Sequence, residues 1–534
     1  MIPHKLHFTW KSHRLPEEYE KTISSWSKYH PDWEIKVWDD NDNRTLIESH
    51  YPWFLSTYDA YPKNIMRADA ARYFILHHEG GVYSDLDVEC YSAIDELIFN
   101  SKFFLSVEPE VHSKVKIATS RGFPFMLCNA FMGSEPGHKF WSHLHEILQR
   151  QKDCPYVLDA TGPFMLTGAG LSAPADIKPD IVLSDLWSPG NSFGLPRSDT
   201  DEFKSKVRSH FRSLSNPTKP AIAHLWHSTW FRHKRSHIGK LLSDAKWSWR
   251  KKWHPNLAFK HTYEDEIIGR QILNPWNEKH RILIATPMKN AGKQIDQYRA
   301  LIEALDYPKE LIDIAILFSD STDDTEEKLQ VLEDAWTGVF HSVVVERLDF
   351  DFHLESDRWE SSIQLQRRGI LAKCRNRLAD KLAEAHEYCF FVDVDLSEIP
   401  SSILQEMMAT REDVVMANCL DEKGKPFDLN AFFYEQYPTF SYLYRYARKD
   451  GLLQPPIGYP RIYLTDLEYL NIVPLDSVGG TALLIKSQVL REGVHFPETP
   501  YKYHIETEGF GLMAREKGFS VVGMPNLKVI HPRR

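Results

Sequence analysis

No Cys-x-x-Cys pair, nor any other metal-type cysteine spacing, occurs among Cys90, Cys128, Cys154, Cys374, Cys389 and Cys419 of this 534-residue chain. That removes zinc-finger and redox-motif readings, and the scatter fits a reducing compartment better than a disulfide framework. No run of eighteen apolar residues occurs either, so no transmembrane helix is expected. Basic excess is absent: 64 Lys and Arg against 74 Asp and Glu leave a formal charge of −10, which argues against general nucleic-acid binding. The opening MIPHKLHFTW already reads as a strand and not as a signal peptide. With Met1 as the natural start, the expectation is a soluble, cytoplasmic protein.

What is present points to an α/β protein of two domains. The length exceeds what one core organises, and the expected division is 1–250, a linker at 251–279, and 280–534. Aromatics make up 13% of the chain, enough for rich cores or for flat stacking surfaces. Strands at 4–10 and 34–38 flank a helix at 16–29 opened by Pro16. A helix at 67–79 ends at Gly80-Gly81, and a strand follows at 82–88. The glycine-rich stretch TGPFMLTGAG, 161–170, reads as a structural turn more readily than as a ligand loop. AIAHLWHSTW, 221–230, starts as a strand and ends dense in His and Trp. The basic, Trp-rich residues 231–280 read as a helix plus linker with a solvated face; peripheral contact with an acidic membrane is the weaker reading. A second α/β start follows: strand 281–290, helix 294–305, strand 313–319, then a helix at 362–384 carrying Arg367, Arg368, Arg375 and Arg377. The order strand, helix, strand, basic helix, acidic strand thus occurs twice.

The acidic strands carry the chemistry. Asp85 and Asp87, and later Asp393 and Asp395, follow apolar runs, and i, i+2 spacing puts each pair on one face of a strand. Two adjacent carboxylates repel unless neutralised, and a hard divalent cation such as Mn²⁺ or Mg²⁺ does this through oxygen ligands. The rival reading is a solvated strand end or a helix cap. More ligands are needed; His224 and His531 each follow a strand near a domain's end. Such a metal would stabilise a leaving nucleoside diphosphate. Asp69 and Arg72 share a helix face at i, i+3, as a plain ion pair or as contacts to sugar hydroxyls and phosphate.

NIMRADAARYFILHHEGGVYSDLDVECYSAID, with IPHKLHFTW before it and AIAHLWHSTW after it, resembles glycosyltransferase family 32 over roughly residues 1–235. The resemblance implies donor contacts from Asp69 and Arg72, metal ligation by Asp85 and Asp87, His224 at the family's histidine, and Trp10 near the base. Ser228-Thr229-Trp230 departs from the family's Gly-Ser-Trp. Roughly 281–531 resembles the Anp1/Mnn9/Van1 mannosyltransferases of glycosyltransferase family 62, through RILIATPMKN, AILFSDSTDDT, QRRGILAKCRNRLA, FFVDVDLSEIP, DSVGGTALLIK and IETEGFGLMAREKGF. This implies metal at Asp395 with His531, phosphate contacts from the basic helix (Arg368, Arg375), donor contact at Asp393, and nucleotide contacts at Thr286, Pro287 and Asp320. Asn430-Ala431-Phe432 departs from the family pattern.

Both families imply tandem GT-A domains and retaining transfer, with Asp87 and Asp395 catalytic as metal carboxylates. Of the acidic candidates Asp428, Asp476, Glu506 and Glu508, we favour Asp476 and Glu508 as acceptor or catalytic contacts. The expected protein is a bifunctional transferase with one Mn²⁺ or Mg²⁺ per domain. It would use GDP-mannose in the second domain, GDP-mannose or a UDP-hexose in the first, and a glycan acceptor. The alternatives are one active domain fused to a silent sugar-binding module, a nucleotide hydrolase, or a toxin-like enzyme acting on a host protein. Removal of an upstream anchor would move the expected location to the Golgi lumen.

Overall fold

β1 (Lys5–Thr9) and β2 (Glu34–Trp38) are parallel neighbours, with Lys5 opposite Glu34 and Thr9 opposite Trp38. The computed structural model describes residues 1–99, 101–113, 121–188, 199–214, 222–225, 278–352, 361–435, 442, 445–447, 451–458, 460–504 and 506–532. The helix-plus-linker expected at 231–280 lies outside them except for 278–280, as does Ser228-Thr229-Trp230. The chain divides into two units, Met1–Leu241 with Asp466–Leu470, and Leu242–Thr465 with Asn471–Arg534.

The first unit is built on β3 (Gly81–Ser84), all four of whose residues are buried. β4 is Val88–Cys90, β5 Phe103–Val107, β6 Leu127–Ser134, β7 Asp180–Val182, β8 Arg212–Ser213 and β9 Ile222–His224. The seven-stranded sheet runs β2-β1-β3-β6-β5-β7-β8, and β4 pairs with β9 apart from it. β3 is parallel to β1 and antiparallel to β6, so the sheet is mixed. Leu6, Phe8, Trp26, Val82, Phe104 and Phe131 are fully buried in its core, each such side chain contributing about 1.5–3 kcal/mol of transfer free energy.

The helix feeding β3 spans Asn64–Glu79, three residues longer at its start than the spacing predicts. Gly80 and Gly81 have φ of +66° and +90°, and a Cβ on Gly81 would stand 2.6 Å from the Lys5 carbonyl oxygen. Only glycine meets both demands at this reversal. The strand expected at 82–88 breaks after Ser84: Asp85–Asp87 is a tight turn, closed by Val88 N–H donating to the Asp85 carbonyl at 3.1 Å. The stretch 161–170 is not a turn; Pro163–Ser172 is a buried helix with proline in its first turn. Its small residues suit close packing: a Cβ on Gly170 would meet Leu127 Cδ1 at 2.5 Å.

In the second unit β10 (Arg281–Met288), β11 (Ile312–Phe318), β12 (Ser342–Arg347) and β13 (His386–Val392) are parallel. β14 (Val414–Asp421), β17 (Val473–Pro474), β18 (Ala482–Lys486) and β19 (Val521–His531) complete an eight-stranded sheet ordered β12-β11-β10-β13-β18-β14-β19-β17. β15 (Phe432–Tyr434) and β16 (Arg461–Tyr463) pair separately. The basic helix spans Ser361–Ala379, shorter than the 362–384 expected at its far end. Asp393–Asp395 is again a turn after the strand and not part of it. All six cysteines are free and buried, and no described helix is long and apolar enough to cross a membrane.

Candidate active sites

Asp85 and Asp87 converge because the chain turns between them, not because they share a strand face. Asp85 is anchored by its own N–H donating to the Ala130 carbonyl of β6 at 2.9 Å. β9 then pairs antiparallel with β4, Val88 opposite His224, and Leu225 N–H donates to the Asp87 carbonyl at 2.8 Å. This sets one ligand atom from each of Asp85, Asp87 and His224 within 4.8 Å of one another, with His224 Nε2 3.4 Å from Asp87 Oδ1. Burial lowers the pKa of His224 against the pull of Asp87 and Asp85, which favours the neutral imidazole that a metal requires. Two hard carboxylates and one imidazole suit Mn²⁺ or Mg²⁺. Another such cluster, His13 with Asp39 and Asp42, sits where the two carboxylates form the capping box of the Asp40–His50 helix.

Arg72 and Asp69 are far from a surface pair. Arg72 is 4% and Asp69 5% exposed. Arg72 Nη2 lies 2.9 Å from Asp69 Oδ1, and Nη1 lies 3.2 Å from Asp85 Oδ1. Arg72 Nη1 also donates to the Asn129 carbonyl at 2.9 Å, and the guanidinium stacks 4.8 Å above the Tyr83 ring. Asn129 Nδ2 and Thr161 Oγ1 donate to the two Asp69 oxygens. Burial pushes Asp69 up to about 7 even against Arg72. The Tyr83 hydroxyl donates to Asp85 at 2.9 Å. Asn129 carries no motif, and the roles of Thr161 and Tyr83 beside the two aspartates are seen only in the fold. Trp10 is half-buried against Tyr19 at 4.9 Å, and its indole N–H is buried without a hydrogen-bond partner among the described residues.

The second unit builds a comparable centre from different parts. Asp393 N–H donates to the Thr481 carbonyl of the loop entering β18 at 3.0 Å. His531 ends β19, whose Ile530 carbonyl accepts from Ser397 N–H at 2.9 Å, just past the acidic turn. His531 Nε2 thereby reaches Asp395 Oδ1 at 2.9 Å, and the ring stacks on Phe427 at 3.7 Å. Asp393 faces elsewhere, 3.5 Å from Arg375 Nη2. Burial pushes it up to about 6 while Arg375 pulls it down. The two carboxylates and His531 are therefore not drawn as tightly together as their counterparts in the first unit.

Arg375 and Arg368 from the basic helix both pair with Glu506, which is fully buried; the Arg368–Glu506 separation is 3.0 Å. Glu506 has φ +53° and precedes the Thr507–Glu516 helix. A non-glycine residue held there marks a strained position that its surroundings enforce. Glu508 pairs with Arg461 at 3.1 Å, and both line a cavity of about 200 Å³ together with Arg368, Gln364 and Asn430. Asp476 is put to another use. It is 2% exposed, one oxygen pairs with Arg515, and the other accepts Tyr434 N–H at 2.7 Å. A carboxylate so placed anchors β15. Asp428 likewise holds Gly480 N–H and Thr481 Oγ1, at 3.0 and 2.7 Å.

Thr286 and Pro287 lie near the carboxyl end of β10, and Asp320 lies just past β11. That is the edge where open α/β sheets take ligands. Thr286 is buried, bonded to the Tyr298 hydroxyl at 2.7 Å. Asp320 accepts Phe350 N–H through Oδ1, while its buried Oδ2 accepts no hydrogen bond and has Lys289 Nζ at 3.9 Å.

Two α/β units with mixed, helix-flanked sheets, each with an acidic turn at the end of a central strand, are the layout of GT-A glycosyltransferases. Residues 16–104 match the family described as glycosyltransferase sugar-binding region containing DXD motif, and residues 269–500 match Anp1. The mannan polymerase complex subunit mnn9 of Schizosaccharomyces pombe is 32% identical over 48% of this chain and 82% of its own length. The mannan polymerase II complex anp1 subunit of the same yeast is 30% identical over 50% of this chain and 67% of its own. The chain belongs to the Anp1 family of mannosyltransferases. Inositol phosphoceramide mannosyltransferase 3 of S. pombe is 41% identical over 126 residues, 24% of this chain but 35% of that relative. A mannosyltransferase from Pyrobaculum calidifontis, solved with GDP-Man and Mn²⁺, aligns over 55% of this chain and 66% of its own. Its TM-score of 0.30 and identity of 12% are too low for residue-level inference.

Proposed function

We propose that the chain carries two metal-dependent, retaining hexosyltransferases, in domains 1–250 and 280–534 joined by 251–279, that add successive α-linked sugars to a glycan. The observation that carries this reading is the convergence of Asp85, Asp87 and His224 on one point beside the buried Arg72. The Asp395–His531 pair beside Arg375 and Asp393 is its counterpart in the second unit. GDP-mannose is the donor we assign to the second unit, from its kinship with the Anp1 family. The relative named as an inositol phosphoceramide mannosyltransferase favours mannose over a UDP-hexose, and we extend that choice to the first unit.

We read Arg72 as a contact to the donor's diphosphate, and Asp69, braced by Asn129 and Thr161, as a contact to sugar hydroxyls. In the second unit Glu506 aims Arg368 and Arg375, and the unspent Oδ2 of Asp320 is suited to a nucleotide hydroxyl. Bound Mn²⁺ or Mg²⁺, one per unit, would supply charge neutralisation of the leaving nucleoside diphosphate. Joining two units raises the effective concentration of the first product at the second site. The deciding experiment pairs Asp85→Ala/Asp87→Ala with Asp393→Ala/Asp395→Ala and resolves the products of each. We expect each double variant to lose one distinct linkage; an unchanged product pattern in either would remove that site from the scheme.

A further inference from the structure

The first unit has a second concavity, on a face of the Asn64–Glu79 helix turned away from Asp69 and Arg72. It has a volume of about 590 Å³, and its lining includes Trp53, His77, His145, Glu146, Gln149 and Arg150. His77 belongs to the last turn of that helix, before Gly80, whereas Asp85 follows β3. Arg72 reaches Asp85 from one side of this helix, while Phe74, on which the concavity rests, lies about 200° round the helix from Arg72. The concavity is thus distinct from the acidic turn.

Its floor is aromatic. His145 stacks on Phe74 with ring centres 3.9 Å apart, and Tyr51 packs on Phe74 at 4.7 Å. Trp53 tilts over His145 at 6.1 Å. Of these rings Trp53 alone is exposed, at 51%, while His145 is 4% exposed and its Nε2 is buried without a hydrogen-bond partner among the described residues. The rim is polar. Glu146 and Arg150 stand one turn apart on the Lys139–Arg150 helix, both exposed and neither in a salt bridge among the described residues. Gln149 takes a hydrogen bond from Thr57 through Oε1 at 3.2 Å, which leaves its amide N–H groups to donate.

These features select a ligand class. One acid and one base on the rim cancel, so a phosphate or other anion gains little. An acyl chain would strand Glu146, Gln149 and His77 against hydrocarbon. A hexopyranose presents an apolar C–H face to an indole and paired hydroxyls to planar carboxylate, amide and guanidinium groups. The volume falls in the range of small-ligand sites and holds one or two sugar rings. We propose that this concavity is a glycan-binding subsite, which holds a hexose of the acceptor on Trp53, away from the acidic turn, through Glu146, Gln149 and Arg150. The proposal rests on the reading of the chain as a transferase with a glycan acceptor. Anchoring a chain there would raise the local concentration of its growing end.

The test measures binding of linear α-manno-oligosaccharides to the full chain by calorimetry, alongside transfer to a simple α-mannoside. Trp53→Ala should weaken oligosaccharide binding about tenfold, the cost typical of losing one aromatic anchor. Glu146→Ala, on an exposed helix face, should weaken it in the same direction and guards against misfolding of the first variant. Asp85→Ala/Asp87→Ala should still bind the oligosaccharide, and Trp53→Ala should still transfer to the simple mannoside. Unaltered affinity in both rim variants, or loss of binding in the acidic double variant, overturns the subsite. Transfer to the simple mannoside without any oligosaccharide binding also overturns it and leaves the transferase reading standing. Absence of transfer to every acceptor strikes the transferase reading instead.

Discussion

Asp69 is the residue at which function and stability conflict most directly. Burial raises it from 3.8 to about 7, so between those pH values the folded chain holds a proton that the unfolded chain has released. Stability from this group is therefore complete below about pH 4 and declines as pH rises toward 7. Asp69→Asn keeps the shape and one acceptor oxygen for Asn129, turns an amide N–H toward Thr161 Oγ1, whose hydroxyl oxygen can accept it, and removes the ionisation. We expect the variant's melting temperature at pH 8 to equal or exceed that of the wild type. The difference between the two should vanish near pH 4, as thermal scans at each pH would read. Transfer by the first unit should fall roughly tenfold or more, the cost of a lost contact between charge and hydroxyl. A variant less stable than wild type at pH 8 would mean that the Arg72 pairing outweighs the burial of Asp69.

Two elements owe their placement to single residues. The reversal from the Asn64–Glu79 helix into β3 depends on Gly81, with φ +90° and the Lys5 carbonyl oxygen 2.6 Å from any added Cβ. Gly81→Ala should cost about 1–3 kcal/mol or more, measurable by urea unfolding, because strain and clash coincide there. The basic helix Ser361–Ala379 is oriented by Glu506, which takes Arg368 and Arg375 together. Glu506→Gln should leave two arginines short of a partner, destabilise the second unit by about 3 kcal/mol, and raise KM for the nucleotide sugar more than it lowers kcat. Equal KM in variant and wild type would show that these arginines do not meet the donor. Glu508→Gln, at the 200 Å³ cavity, should act on acceptor kinetics instead.

At the scale of the whole molecule, two centres built from unrelated strands predict two separable responses. In the first unit β9 lies against β4 to deliver His224; in the second, β19 returns along the acidic turn to deliver His531. Saturating Mn²⁺ with GDP-mannose stabilises whatever unit binds it, by about 2.7 kcal/mol at one hundred times Kd. Thermal shift of the full chain should show that Asp393→Ala/Asp395→Ala removes the second unit's response and leaves the first unit's intact. Adding a chelator should remove both. One response lost together with the other in a single double variant would deny independent sites.

The sequence by itself determined the α/β class, the two acidic pairs and the basic helix, because apolar runs, i, i+2 spacing and glycine reversals are local signals. It could not show that each acidic pair occupies a turn, since alternation at 82–88 looks like unbroken strand until β4 pairs with β9. Nor could it separate Glu506 from Glu508, or reveal Asp476 as an anchor, because two residues of spacing say nothing of which arginine lies opposite. Asn129 and Thr161 reach Asp69 from other elements. Partnership across such separations is fixed by sheet order and register, and those are decided by which apolar faces can be buried together.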